Sequence, residues 1–127
     1  MSYPTNLNIV GNTLNIVSGF TSFSVTFPAF ATTNSVAFQG VLIGTAPTTI
    51  SFPLNVTVCQ VVYIKNQHSS QTLTVTWTPT GGAGAVVQTL QAGAVLLLVQ
   101  PNATSGISAL SLQASAANTP VDIFLAG

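Results

Sequence analysis

Apolar and polar residues alternate along most of the chain with a period of two, and no window shows a convincing period of 3.6. The clearest alternation runs through residues 6–10, 13–17 and 23–27. Residues that alternate in this way point to opposite faces of a β-strand. Glycine and proline interrupt the pattern roughly every 10–15 residues, as turns between short strands do. The pattern therefore predicts β-structure throughout.

Some of these runs carry specific expectations. Gly40 lies inside one run and suggests a β-bulge. Residues 50–58 alternate over nine positions with Pro53 on the polar face, which predicts an edge strand or two strands broken at the proline. Residues 61–65 are apolar on both faces, which predicts a central strand, and residues 95–99 predict a fully buried one.

The first two runs form a short near-repeat around Gly11-Asn12. A two-residue loop that begins with glycine is typical of a type II′ hairpin. In such a hairpin the asparagines point to one face, and the apolar side chains Leu7, Ile9, Leu14 and Ile16 point to the other. We predict that residues 6–17 form an N-terminal hairpin that docks on a neighbouring protein.

About nine or ten short strands with turn signals at regular spacing predict an antiparallel β-sandwich, of which the jelly roll is one form. No linker, charge run or change of composition divides the sequence. We therefore expect residues 1–127 to form a single all-β domain that includes the docking hairpin.

Charge is almost absent from this pattern. The 127 residues include one Lys or Arg, one Asp or Glu and one His, so 2% are charged, against about 25% in an ordinary soluble domain. One lysine cannot replace the counterions of nucleic-acid phosphates or bind an anionic membrane surface. No apolar run reaches the ~18 residues of a membrane span. We expect no nucleic-acid partner and no membrane partner.

Enzymatic chemistry has few side chains to draw on. His68 and Asp122 could join a serine in a triad, but no Gly-x-Ser-x-Gly elbow is present and residues 66–71 read as a polar turn. Cys59 lacks a cationic neighbour and reads as a small buried hydrophobe. We therefore predict no enzyme, no cofactor, no metal site and no catalytic residue. Trp77 is expected in the core, with a glycan-stacking platform as the alternative.

Lys65 and Asp122 are the two charged side chains, and each flanks an apolar strand. A buried lone charge is costly, so we expect both to be solvated independently, or paired within the chain or across a subunit interface. A surface with so little charge has little to oppose self-association. Few titratable groups also predict a stability that is nearly constant between about pH 3 and 9. An oligomer is expected, with a trimer as the working guess.

Several short segments of the sequence are similar to segments of known proteins. These are residues 62–66 (VYIKN), 73–79 (LTVTWTP), the Gly81-Gly82 pair, 91–93 (QAG) and 123–127 (IFLAG). They resemble small uncharged β-sandwich proteins encoded among the virion structural genes of tailed bacteriophages and prophages. The resemblance covers about the C-terminal two thirds of the chain. It implies a capsid decoration protein, a head fibre or a tail-tip module, and it transfers no functional residue.

The sequence therefore predicts a non-enzymatic virion structural protein, a capsid decoration protein made and assembled in the host cytoplasm. Its expected partners are further copies of itself and a major capsid or other virion protein, with Lys65, Asp122 and the hairpin at the interfaces. One alternative is a receptor- or glycan-binding module of a fibre or tail tip. Another is the subunit of a filament or surface layer, which a signal peptide upstream of Met1 would favour.

Overall fold

A computed structural model describes residues 5–10, 12–28, 30–81, 84–102 and 104–127. The chain divides into two compact units, Met1–Phe30 and Ala31–Gly127. Within the described residues the regular structure is all β, and no helix is long and apolar enough to cross a membrane.

The first unit is a three-stranded antiparallel sheet in the order β1-β2-β3. Its strands are β1 (Thr5–Val10), β2 (Thr13–Ser18) and β3 (Thr21–Thr26). The predicted hairpin is confirmed, because Val10 lies opposite Thr13 at its closed end. The type II′ turn rests on Gly11, which lies outside the described residues. Near the same end, the N–H of Phe27 donates to the carbonyl of Asn12 over 2.9 Å.

The second unit contains the remaining eight strands of the described chain. These are β4 (Ser35–Ile43), β5 (Thr48–Thr49), β6 (Val61–Asn66), β7 (Leu73–Pro79), β8 (Val86–Leu90), β9 (Val95–Val99), β10 (Ile107–Ala114) and β11 (Thr119–Ala126). They form two antiparallel sheets, β4-β11-β6-β9 and β5-β10-β7-β8. Counted from the first to the eighth strand of this unit, the orders are 1-8-3-6 and 2-7-4-5, which is the strand order of a jelly roll. The predicted antiparallel sandwich is confirmed.

The two sheets of this unit share one hydrophobic core. Val62, Ile64 and Leu125 from one sheet meet Val75 and Leu112 from the other, and all five side chains are buried. They occupy alternate positions of their strands, which is why a period of two in the sequence could predict them. Burial of each such side chain stabilises the fold by about 1.5–3 kcal/mol before entropy is counted.

The strand predicted over residues 50–58 is wrong. No strand forms over these residues, and the two-residue strand β5 ends just before them, at Thr49. Pro53 has no N–H to donate to a sheet, and its carbonyl instead accepts the N–H of Val56 across a turn. Asn55 adopts a positive φ of 63° in that turn. Pro53 is also buried, so it does not lie on a polar face.

Of the predictions for strands in the sheet β4-β11-β6-β9, two are confirmed and one is wrong. The predicted bulge is confirmed at Gly40, which has a φ of 67° where the register of β4 and β11 shifts. The central position of β6 is also confirmed, between β11 and β9. The prediction that residues 95–99 are fully buried is wrong, because Val95 is 50% exposed and Leu97 is 41% exposed. They belong to an edge strand whose outer side is also apolar.

Candidate interaction surfaces

The first unit presents one apolar sheet face. The register places Leu7 opposite Ile16 and Ile9 opposite Leu14, and β3 adds one apolar residue beside each β2 residue. We call this surface the N-terminal face, and it consists of Leu7, Ile9, Leu14, Ile16, Phe23 and Val25. Four of these six side chains are exposed, and Leu7 is exposed by 67%. The four hairpin residues predicted for an interface therefore share one surface.

The opposite face of this sheet is uncharged and mostly polar, although it also carries Val17, which is 43% exposed. Asn8, Asn15 and Ser24 lie side by side across the three strands. At the end of the sheet, the hydroxyls of Thr13 and Thr26 are 3.2 Å apart and share a hydrogen bond. Residues 1–30 contain no Asp, Glu, Lys, Arg or His. Because a sheet with one apolar face gains stability by burying it against a second layer, the N-terminal face is a candidate interface.

A second apolar surface lies on the outer side of the three neighbouring strands β11, β6 and β9. We call it the body face, and it consists of Val61, Tyr63, Lys65, Val95, Leu97, Val99, Asp122, Phe124 and Ala126. One row of directly opposed residues crosses it from Phe124 through Tyr63 to Leu97. Phe124 and Leu97 are exposed and Tyr63 is half-buried. Scattered apolar residues are normal on a protein surface, whereas a continuous apolar patch marks a contact surface.

Both charged side chains of the protein lie on the body face. Lys65 and Asp122 are directly opposite each other across β6 and β11, and both are half-buried. The Asp122 carboxylate accepts hydrogen bonds from the Gly40 N–H, over 2.9 Å, and from the Gln67 side-chain amide. Within the described residues, the Lys65 ammonium takes part in no hydrogen bond or ion pair. The structure therefore places the two charges together without joining them.

The outer side of the other sheet has different chemistry. It carries hydroxyl and amide side chains where the body face carries apolar ones. Thr76 lies opposite Ser111, and Thr74 lies between Gln113 and Thr89. We call this surface the hydroxyl face, and its polar residues are Thr74, Thr76, Thr78, Thr89, Ser111 and Gln113. It also carries Val87, which lies opposite Thr76 and is 62% exposed. The sandwich thus has one apolar outer face with both charges and one polar outer face with none.

The remaining sequence candidates have structural roles. Trp77 packs against the core and is not on the hydroxyl face, so the core prediction is confirmed. In the turn between β6 and β7, His68 Nδ1 accepts the backbone N–H groups of Ser70 and Gln71, both over 3.0 Å. Asp122 has other partners, so the structure does not join it to His68. No group of three metal-ligating side chains occurs among the described residues.

Cys59 lies at an end of the sandwich, where it pairs with Ile107 in an isolated β-bridge. Its side chain is 1% exposed, so the prediction of a buried hydrophobe is confirmed. Burial raises the pKa of the Cys59 thiol to about 11. The thiol is therefore protonated at neutral pH.

Sequence reasoning missed the buried polar residues, among them Asn66, which it placed in a polar turn. The side chain is fully buried. Its amide nitrogen lies 2.8 Å from the Gln71 carbonyl and 3.2 Å from those of Leu90 and Gln91, and its oxygen accepts the His68 N–H. Asn66 therefore ties together two loops of the jelly roll. The signal available in the sequence was an asparagine at the end of a strand that is apolar on both faces.

No protein-family model matches the chain, and no curated protein or solved structure matches it either. Function therefore has to be inferred from the two apolar faces, the hydroxyl face and the near-absence of charge.

Proposed function

We propose that the protein is a non-enzymatic virion structural protein, a capsid decoration protein that self-associates and binds the particle through uncharged β surfaces. The observation that carries this proposal is the N-terminal face. Six apolar side chains lie on one side of a three-stranded sheet, and four of them are exposed. A surface of this kind is built to be covered by another protein.

The absence of charge specifies the kind of partner. Residues 1–30 carry no ionisable side chain apart from a tyrosine. The contact is therefore made by apolar packing and by neutral hydrogen bonds, which avoid the cost of desolvating ions. Such a contact changes little with salt or with pH. A shell that meets uncontrolled surroundings is an assembly to which these properties are suited.

The fold of the second unit agrees with this proposal at the level of analogy. Jelly rolls occur in viral capsid proteins, in lectins and in cupins. A fold hosts many functions, so the sandwich alone does not select one of them. The resemblance of residues 62–66, 73–79 and 123–127 to small virion proteins favours the capsid association. We assign the N-terminal face to the particle.

The test is to identify proteins in virions purified from a lysate of the organism that encodes this sequence. Trypsin cleaves the chain only after Lys65, because Lys65 is its single Lys or Arg. Chymotrypsin is therefore the appropriate protease for mass spectrometry. The proposal predicts peptides of this chain in the particle fraction, at many copies per particle. Recovery of the chain from the same lysate only outside the particles would overturn it.

The second candidate is a receptor- or glycan-binding module of a virion fibre or tail tip. The hydroxyl face favours it, because Thr74, Thr76, Ser111 and Gln113 offer neutral hydrogen-bonding groups on one side of a sheet. The inward packing of Trp77 weighs against it, since stacking on a sugar ring needs an exposed aromatic side chain. Binding to a glycan array that is lost in Thr76→Val would favour this candidate over decoration.

A further inference from the structure

We propose that the body face is the contact surface between two copies of this chain, related by a two-fold axis. This surface lies on the second unit, whereas the proposed particle contact lies on the first. The inference therefore goes beyond the proposed function and does not depend on it.

The first reason is the placement of the two charges. Lys65 is half-buried on an apolar surface and has no hydrogen-bond or ion-pair partner within the described residues. Asp122 is the only acidic side chain of the sequence. Its carboxylate is oriented by Gly40 and Gln67 and keeps lone pairs for a further donor. In a complex of identical chains, the partner's Asp122 is the acidic side chain that can satisfy Lys65.

The second reason is the register of β6 and β11. A two-fold axis that lies in the interface, parallel to these strands and midway between them, exchanges the two members of every opposed pair. Lys65 then meets the partner's Asp122, and Asp122 meets the partner's Lys65. The same operation brings Tyr63 against the partner's Phe124. One positive and one negative side chain per copy are enough, because the two-fold axis repeats the contact between Lys65 and the partner's Asp122 and so gives two opposite-charge pairs.

The dimensions of the surface set the strength of the contact. Two β-sheets pack face to face about 10 Å apart with their strands nearly aligned. The three strands of the body face, about 4.8 Å apart and about six residues long, cover roughly 300 Å² on each copy. Two copies then bury well under the ~1,200 Å² at which stable specific interfaces begin, so the association is weak or transient. We therefore expect dimerisation at high micromolar concentrations, and more completely where copies are held close together.

The experiment is sedimentation velocity of the whole chain from micromolar to millimolar concentration. The wild type is expected to form dimers. Lys65→Glu places two acidic side chains together at both contacts, and Asp122→Lys places two lysines together. Each variant alone should self-associate about a hundredfold more weakly or worse, because like charges at an interface cost several kcal/mol. An equimolar mixture of the two variants restores both opposite-charge contacts, so it should form heterodimers.

Two further variants keep the result interpretable. Thr89→Glu adds the same charge to the hydroxyl face and should leave dimerisation unchanged. Asp122→Lys also removes the hydrogen bond to Gly40, so a second rescue uses Lys65→Glu with Asp122→Asn, which removes the repulsion and should recover most of the association. The inference is overturned if the wild type stays monomeric, if Lys65→Glu associates like the wild type, or if neither rescue restores dimers. If the chain forms the charge-dependent dimer but is absent from purified virions, only the proposed function is overturned.

Discussion

The backbone N–H of Gly40 donates a hydrogen bond to the carboxylate of Asp122 over 2.9 Å, although 82 residues separate them in sequence. Gly40 lies in a bulge where two residues of β4, Gln39 and Gly40, oppose Asp122 of β11. Its φ of 67° is one that few residues other than glycine adopt readily. The bulge leaves the Gly40 N–H without a partner in the hydrogen-bond ladder of the sheet. The only acidic side chain of the protein accepts this hydrogen bond instead.

We predict that Asp122→Ala lowers the free energy of unfolding by about 1 kcal/mol, because the exposed Gly40 N–H loses its protein acceptor. Asp122→Asn keeps an oxygen that can accept the same hydrogen bond, so it should lose less than half as much. Denaturant titration monitored by Trp77 fluorescence measures both, since Trp77 is the single tryptophan and packs against the core of the second unit. Equal losses in the two variants would contradict the hydrogen-bond explanation.

A larger loss is expected at Asn66. Asn66→Ala leaves the buried carbonyls that receive its amide without a donor, and each such group costs about 1–3 kcal/mol. We expect the free energy of unfolding to fall by about 2–4 kcal/mol. Asn102→Ala is the matched control, because Asn102 is exposed and bonds only within its own loop. The prediction fails if the two alanine variants are equally stable.

Much of the fold follows from the period of two in the sequence. The hairpin of β1 and β2 was predicted because its residues are close together in the chain. The bulge at Gly40 was predicted because glycine tolerates the backbone conformation that a bulge requires, although its partner strand β11 is distant in sequence. The strand over residues 50–58 was predicted wrongly because alternation cannot show that Pro53 breaks the hydrogen-bond ladder. The exposure of the outer face of β9 was also not predicted, because apolar side chains on both sides of this strand were taken to indicate full burial.

The candidate surfaces were harder to predict than the strands. Lys65 and Asp122 were singled out for their charge, but their direct opposition requires β11 to pair with β6 across more than 50 residues. Pairing of strands so distant is set by the packing of the whole sandwich and not by local pattern. The contrast between the body face and the hydroxyl face depends on the same pairing. The sequence alone therefore identified the side chains and not the surfaces they build.

The pH dependence of stability is expected to come from Cys59 at the alkaline end. Burial raises the pKa of its thiol from 9.0 to about 11. The folded state thus favours the neutral thiol, so this contribution is complete below pH 9 and is lost as the pH rises toward 11. The loss amounts to about 2–3 kcal/mol, because one pKa unit corresponds to about 1.4 kcal/mol.

Denaturant titrations between pH 5 and 11 test this expectation. Stability should be nearly constant to about pH 9 and then fall. Cys59→Ala should be less stable at neutral pH because it leaves a small cavity, but its decline above pH 9 should be shallower than that of the wild type. Parallel alkaline declines in the two proteins would show that other groups cause the loss.

The sharpest test of the particle contact uses two neighbouring positions with opposite orientations. Leu7 lies on the N-terminal face and Asn8 on the polar face of the same strand, and both side chains are exposed. A lysine at either position therefore leaves the sheet folded. Only Leu7→Lys carries an ammonium group into the proposed contact, where its desolvation without a partner costs several kcal/mol.

We expect Leu7→Lys to reduce the number of copies per particle at least about tenfold, whereas Asn8→Lys keeps wild-type occupancy. The variants are introduced into the encoding genome, and copies per particle are counted by quantitative mass spectrometry after chymotrypsin digestion. Circular dichroism of both purified variants confirms that the β-structure is intact. Equal occupancy of the two variants would exclude the N-terminal face as the particle contact. Loss in Asn8→Lys alone would assign the contact to the polar face of the same sheet.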